Sequence, residues 1–316
     1  MKTFRTLLVS AFILAAIVAC DKKDPDNQII RDESVIELNI TFNTASTDFL
    51  WGEDWESEWR YDWDESDSTY GTLGYSEPEN IKGTIYNIDS RTGERYSHFF
   101  KVFGLKDSTR SLYSAVKYDM LFYNFGTDSV LFNQSENYKA YTAQANNLGR
   151  TDELQGTFMT GVEFAPHQRS ELEVNLEPYT YIYLLQIIIK DNQDNRITGA
   201  DALTLTGLAK GANLFTRTTF TDTVSLTTQD IKPLQNHENV RLDDGTIADQ
   251  AGILAVRILT WGLPANAAAT DHNDLTITLT LQNGQTKSVT RDITTQLRQH
   301  PKGGVITISL DAEDLL

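Results

Sequence analysis

The chain has 316 residues with 44 acidic and 27 basic side chains, a formal charge of −17 at pH 7. Phosphate binding needs clustered lysine and arginine, which this acidic chain lacks, so no nucleic-acid partner is expected. A lone cysteine removes disulfides, thiolate metal sites and paired-thiol redox chemistry, while the length exceeds one typical core and leads to an expectation of two domains.

The N-terminus carries Lys2 and Arg5, then an apolar run through Leu7, Leu8, Phe12 and Leu14 that closes on small residues. That run is far shorter than the roughly 20 residues a membrane-spanning helix needs, and it fits a cleaved export signal over residues 1–19. Ile17-Val18-Ala19-Cys20 resembles the bacterial lipobox, whose cysteine is alkylated by a diacylglyceryl group and then acylated at its new amine. Each buried acyl CH2 contributes about 0.8 kcal/mol, and several chains on one residue hold firmly, so Cys20 is the expected membrane anchor. Residues 20–33, which include Asp21-Lys22-Lys23-Asp24-Pro25-Asp26-Asn27, read as a lipidated tether. Charges just behind the cysteine resemble the surface-export signal of Bacteroidales lipoproteins, which implies the cell exterior on the outer membrane. An aspartate at that place is also an inner-membrane retention signal in other bacteria.

A first module is expected over residues 34–168. Ile36, Leu38, Ile40 and Phe42 alternate with polar residues, the signature of a half-buried strand. An acidic loop over residues 44–78 follows, far longer than a hairpin connection, and such loops are usually functional or disordered. Trp51, Trp55, Trp59 and Trp63 recur in it at every fourth residue among Glu53, Asp54, Glu56, Glu58, Asp62, Asp64, Glu65 and Asp67, opposed by Arg60 alone. Spacing of four predicts a helix with the indoles along one side. Two roles are open: a platform for a sugar or a protein partner, or a cover over the open end of the first sandwich, the commoner fate of large aromatics. Asp62, Asp64, Ser66 and Ser68 alternate like a calcium loop, but Asp67 stands where the glycine belongs and Leu73 where the glutamate belongs, which rules out an EF-hand.

Strands are then predicted over 81–88 and 96–103 around Arg91-Thr92-Gly93, over 118–124 and 130–133 around Gly126-Thr127-Asp128, and over 156–164, with a short helix or edge strand at 112–116. A polar surface loop is read over 144–152. Phe164 to Arg169 reads as a linker, and residues 169–316 form the second module, opening on Leu172, Val174 and Leu176. Tyr179 to Ile189 is nearly all apolar and rich in β-branched and aromatic residues, which predicts a central strand covered on both faces. More strands are read at 202–208, 219–227, 253–261 and 305–310, with a hairpin of 275–281 and 287–293 around Asn283-Gly284. The fold class is all-β: two tandem β-sandwiches with no long amphipathic helix.

The five histidines are scattered, with no metal-ligand spacing and no nucleophile elbow or phosphate loop nearby, so no enzyme activity, cofactor or metal is expected. Asp191, Asp194, Asn195 and Asp201 read as a solvated turn. Asn39-Ile40-Thr41 and Thr307-Ile308-Ser309 are candidate strands for exchange with a partner.

The lipobox cysteine, the tryptophan-rich loop ending at Glu77-Pro78, Tyr118-Asp119-Met120-Leu121-Phe122-Tyr123-Asn124 and Leu205-Thr206-Gly207-Leu208-Ala209-Lys210-Gly211-Ala212-Asn213-Leu214 together resemble the FimB-type fimbrial anchors and fimbrillin-like lipoproteins of Bacteroidales. That resemblance implies two transthyretin-like or Ig-like sandwiches, a role in anchoring or accompanying a surface fimbria, and fimbrillin subunits as partners joined by strand insertion. The alternative function, from the tryptophans, is a surface glycan-binding lipoprotein.

Overall fold

The computed structural model describes residues 35–313 apart from 47–49, 53, 67–71, 90–91, 94, 106–107, 115, 134–137, 167–168, 193–194 and 269–270. The export signal, Cys20 and the tether lie outside the described residues, as do Asp67, Ser68, Asp194 and His167.

Strand β1 (Val35–Asn43) keeps the alternation of its sequence, with Ile36, Leu38, Ile40 and Phe42 buried and the residues between them turned outward. It pairs antiparallel with β4 (Ser108–Tyr113) and parallel with β9 (Ser170–Asn175). The facing sheet runs in the order β10 (Glu177–Pro178), β8 (Gln155–Val162), β5 (Lys117–Asn124), β2 (Asn80–Ile88), β3 (Arg95–Gly104). Ile81, Ile85, Met120 and Phe122 from this sheet meet the apolar face of β1 to make one core, each fully buried aliphatic or aromatic side chain contributing about 1.5 to 3 kcal/mol.

Two expectations change here. Leu172, Val174 and Leu176 complete the first core instead of opening the second, because β9 returns to lie beside β1. Asn39 and Ile40 are therefore held on both sides, by Thr109 and Ser108 on one neighbour and Glu171 and Leu172 on the other, and Asn39-Ile40-Thr41 is not a free edge.

The second sandwich stacks two four-stranded sheets. One is ordered β15 (Gln235–Arg241), β16 (Ile247–Thr260), β11 (Tyr181–Lys190), β19 (Gly304–Asp311). The other is ordered β14 (Thr223–Thr228), β12 (Ile197–Ala209), β17 (Asp274–Leu281), β18 (Thr286–Asp292). Tyr183, Leu185, Ile187 and Ile189 of β11 fill the core between them against Leu203, Leu205, Leu275 and Ile277. The polar β15, with Val240 its one buried residue, escapes a search for apolar periodicity.

A small third sheet joins the two halves: β6 (Val130–Asn133) and β7 (Thr142–Ala145) come from the first, and β13 (Gly211–Asn213) from the second. The predicted hairpin of 118–124 with 130–133 does not form, since β6 leaves the sheet of β5 for this one. Tyr123, Tyr141, Tyr179, Ala212, Leu214 and Trp261 pack beneath it. Burial pushes the Tyr179 hydroxyl up to about 12, and it donates to the Leu214 carbonyl at 2.6 Å while the Arg217 guanidinium stacks 4.0 Å over its ring. Gly211 permits the crossing, because a Cβ there would stand 2.3 Å from the Ala143 carbonyl oxygen.

Candidate functional site

The outer face of β11 presents Ile182, Leu184 and Ile188, all fully buried. What buries them is the tryptophan segment, which leaves the first sandwich and lies as a strap across this face of the second. Trp51, Trp55, Trp59 and Trp63 pack against Ile182, Leu184, Val305 and Leu73, and Tyr61 packs with Ile188, Ile253 and Ala255. The indoles thus cover the second sandwich, not the open end of the first.

Helix is broken after Leu50 and Trp51 and resumes for one turn, α1 (Trp55–Glu58), whose start is tied by Ser57 donating from N and Oγ to the Asp54 carbonyl at 2.9 and 2.7 Å. Acids sit in its first turn, where they complement the positive end of the helix dipole, and no base sits in its last to complement the other end. Beyond it the chain is extended, and Trp59, Tyr61 and Trp63 point to the sheet while Asp62 and Asp64 point to water. Trp51 meets Trp55 edge to face at 5.1 Å, and Trp59 lies 6.2 Å from Trp63.

Two glutamines satisfy the strap's backbone in place of a neighbouring strand. Gln186, 1% exposed and the one polar residue inside the apolar run of β11, accepts from Arg60 N at 2.9 Å and donates from Nε2 to the Glu58 carbonyl and to Thr307 Oγ1, both at 2.6 Å. Gln235 accepts from Asp62 N and donates to the Asp62 carbonyl, each at 3.1 Å. The Tyr61 hydroxyl donates to the Pro233 carbonyl at 2.8 Å and that of Tyr75 to the Thr180 carbonyl at 3.1 Å, burial holding the Tyr75 phenol well above its usual range. An unmade hydrogen bond costs about 1 to 3 kcal/mol per buried group. Gln186→Leu is therefore expected to loosen the strap, seen as red-shifted tryptophan fluorescence and faster proteolytic nicking between Trp51 and Trp63; unchanged emission and unchanged nicking would contradict the clasp.

The far end of the strap is fixed by Arg257 of β16, which donates to the carbonyls of Leu73 and Gly74 at 3.2 and 3.0 Å and to Glu153 Oε1 at 2.5 Å, while Glu153 Oε2 accepts from Ser76 N at 2.7 Å. Between its two limbs the strap forms an open groove of about 830 Å³, walled by Trp55, Trp59, Tyr61, Trp63 and Tyr75 and rimmed by Glu56, Asp62, Asp64 and Glu65. Lys232, only 5% exposed, sets its ammonium 4.7 Å from the centre of the Trp63 ring.

The other expected polar clusters resolve into local turns. Asp64 Oδ1 accepts from Ser66 N and Oγ at 2.9 and 2.6 Å. Asp191 and Asn195 sit at positive φ in a turn locked by Asn192, which exchanges two 2.9 Å hydrogen bonds with the backbone of Ile197. Among the described residues, no group of three or more His, Cys, Asp or Glu side chains is gathered as a metal site.

One histidine that looked isolated in sequence has a partner. His272 Nδ1 lies 2.7 Å from Asp292 Oδ2 across neighbouring strand ends. The hydrogen bond to Asp292, and then its charge, raises the imidazole pKa above the ordinary 6.5. The hydroxyl and amide of Thr294, then His272, hold Asp292 down to about 2. The imidazolium contribution to stability is thus complete below pH 6.5 and lost as pH rises through the raised value; that of Asp292 is present above its ordinary 3.8 and lost toward pH 2. An NMR titration is expected to place the His272 midpoint above 6.5, and Asp292→Asn to return it there; an unmoved midpoint in that variant would exclude the pairing.

No family model matches the chain, and no curated protein matches it. Its fold has solved counterparts. A candidate adhesin from Bacteroides thetaiotaomicron is similar with a TM-score of 0.50 at 10% identity, over 90% of this chain and 94% of that one. A candidate polysaccharide-binding protein from the same organism gives 0.47 at 10% identity, over 89% and 93%. A fimbrial anchor protein from Porphyromonas gingivalis gives 0.42 at 12% identity, over 89% and 91%. At these identities the likeness is one of fold.

Proposed function

We propose that the protein is a lipid-anchored surface component of adhesion, fixed in the outer membrane through Cys20 and acting by contact with other proteins, as an anchor or accessory of a fimbria. The observation that carries the reading is the shared fold, over nine-tenths of the chain, with the candidate adhesin from Bacteroides thetaiotaomicron. The free side of β19 gives that reading a place to act. Among the described residues this strand pairs with β11 alone, which supports Thr307-Ile308-Ser309 as the exchange candidate. Asp243 guards that edge at Ser309, where Ser309 N donates to Asp243 Oδ2 at 3.2 Å and Asp243 N donates to Ser309 Oγ at 3.1 Å.

A photo-crosslinking residue placed at Lys302 or Asp243, flanking β19, is expected to trap a fimbrial subunit in intact cells. Sheared surface material that never contains such an adduct would end the proposal. Mass spectrometry of the native N-terminus is expected to find a diacylglyceryl thioether at Cys20, and an unmodified thiol would remove the anchor from the reading. The second reading, glycan binding, rests on the aromatic walls of the strap groove, since flat rings suit sugar faces.

A further inference from the structure

Resting on the reading that β19 offers its edge to a partner, we infer that the turn between β15 and β16 is a latch on that edge, which an extended segment of the partner displaces in order to pair past Thr307. The main chain of β19 sets out the places. Just beyond the strand, Ala312 N donates to the Lys190 carbonyl at 3.2 Å, so the even-numbered residues turn their N–H and C=O groups toward β11. Direction alternates along a strand, and the odd-numbered Val305, Thr307 and Ser309 turn theirs the other way, as Ser309 N shows by donating to Asp243. Among the described residues, Val305 and Thr307 have no main-chain partner on that side. Both border a cleft of about 450 Å³, whose other walls include Arg60 of the strap, Arg241 beside the turn, and Gln299 and His300 at the end of α2 (Thr294–Gln299). An extended segment lying in that cleft meets a row of unpaired donors and acceptors.

The turn is made to let go. It keeps its shape without β19, because Leu242 N donates to the Thr246 carbonyl at 2.8 Å, Gly245 N to the Leu242 carbonyl at 3.1 Å, and Asp244 Oδ1 accepts from Thr246 N and Oγ1 at 2.8 and 2.6 Å. Only the two hydrogen bonds between Asp243 and Ser309 tie it to the strand, and both lie at the exposed surface. Opening therefore takes rotation of the Asp243 and Ser309 side chains and leaves the backbone folded. The Asp243 carboxylate also stands where a partner's carbonyl would stand, accepting the same N–H. A segment already paired at Val305 and Thr307 reaches Ser309 next, two residues on, and replaces one acceptor with another while the freed carboxylate returns to water. A permanent cover would close the row from its first residue; this one leaves Val305 and Thr307 as the place to start.

The test uses the whole mature protein and a fluorescent, end-capped peptide of alternating threonine and valine, with the same peptide N-methylated at alternate amides as the strand that cannot pair. Asp243→Ala is expected to bind the unmethylated peptide about tenfold tighter than the native protein, the scale of one or two surface hydrogen bonds no longer in competition. Asp243→Asn keeps an acceptor oxygen and should bind as the native protein does. Amide hydrogen exchange should quicken at Ser309 in Asp243→Ala while Ile308 keeps its protection, a pattern that loss of the fold would not give. Equal binding by Asp243→Ala and the native protein, equal binding of the methylated peptide, no binding of either peptide, or unmoved exchange at Ser309 each overturns the inference. The two levels separate in cells that carry the photo-crosslinking residue at Lys302. Adducts no more abundant in Asp243→Ala than in the native protein defeat the latch alone, and tighter peptide binding without adducts defeats the fimbrial contact alone.

Discussion

Arg257→Ala is expected to destabilise the protein by about 3 to 5 kcal/mol, the scale for breaking one side of a buried ion pair. Arg257 and Glu153 are 18% and 17% exposed, so removing the guanidinium leaves a carboxylate that water hardly reaches, and it also strips donors from the Leu73 and Gly74 carbonyls. Three pieces of chain lose their common knot: the first sandwich at Glu153, the strap at Leu73 to Ser76, and β16 of the second. The urea midpoint should fall accordingly. Lys117→Ala supplies the contrast, because the Lys117 to Glu163 pair is about half exposed on both sides and should matter by less than about 1 kcal/mol. Replacing both members of the buried pair, Arg257→Met with Glu153→Leu, should recover much of the loss. An Arg257→Ala protein as stable as the Lys117→Ala one would show that the knot holds nothing.

Gly303→Ala should be of similar size for a different reason. The residue before β19 has φ of +88°, and a Cβ there would stand 2.2 Å from the Ile182 carbonyl oxygen and 3.0 Å from Trp51 Nε1. An L-residue at positive φ costs about 1 to 2 kcal/mol, and forcing apart packed groups another 1 to 3 kcal/mol. Backbone cannot swing aside as a side chain can, so the strand and the first indole of the strap must move together. Gly284→Ala isolates the first contribution, since φ there is +79° with nothing within 4 Å of the added carbon. Thermal unfolding should therefore rank Gly303→Ala well below Gly284→Ala. Equal melting temperatures would mean that the approach of Ile182 and Trp51 to Gly303 is not tight.

Local pairing was readable in the residues, and remote pairing was not. Leu275, Ile277, Leu279 and Leu281 with Asn283-Gly284 announce a hairpin between neighbouring stretches of chain, and it forms as read. The unbroken apolar run of β11 announces two covered faces, which is what the core on one side and the strap on the other supply. Alternation at Leu172, Val174 and Leu176 identifies a strand but is silent on its neighbour, and the parallel mate β1 lies some 130 residues earlier.

The strap shows a subtler ambiguity. A repeat of four fits a helix at 3.6 and an extended chain at 2, since four is also twice two. Tyr61, midway between Trp59 and Trp63, was the residue that could have decided for the extended form, and Gln186 alone among apolar neighbours was the sign that something polar must reach that face. Arg257 with Glu153 and His272 with Asp292 are invisible in the sequence, because no local pattern joins charges so far apart on the chain.

Each sandwich opens on a strand that runs beside a late one in the same direction, β1 with β9 and β11 with β19. Tension entering at Val35 and leaving past Asn175, or entering at Tyr181 and leaving past Asp311, therefore pulls each such pair from opposite ends. The ladder's bonds then share the load in shear and must yield together, where an antiparallel pair pulled at one end would peel apart a rung at a time. A chain tugged between a cell and whatever it holds would be built to resist along that line.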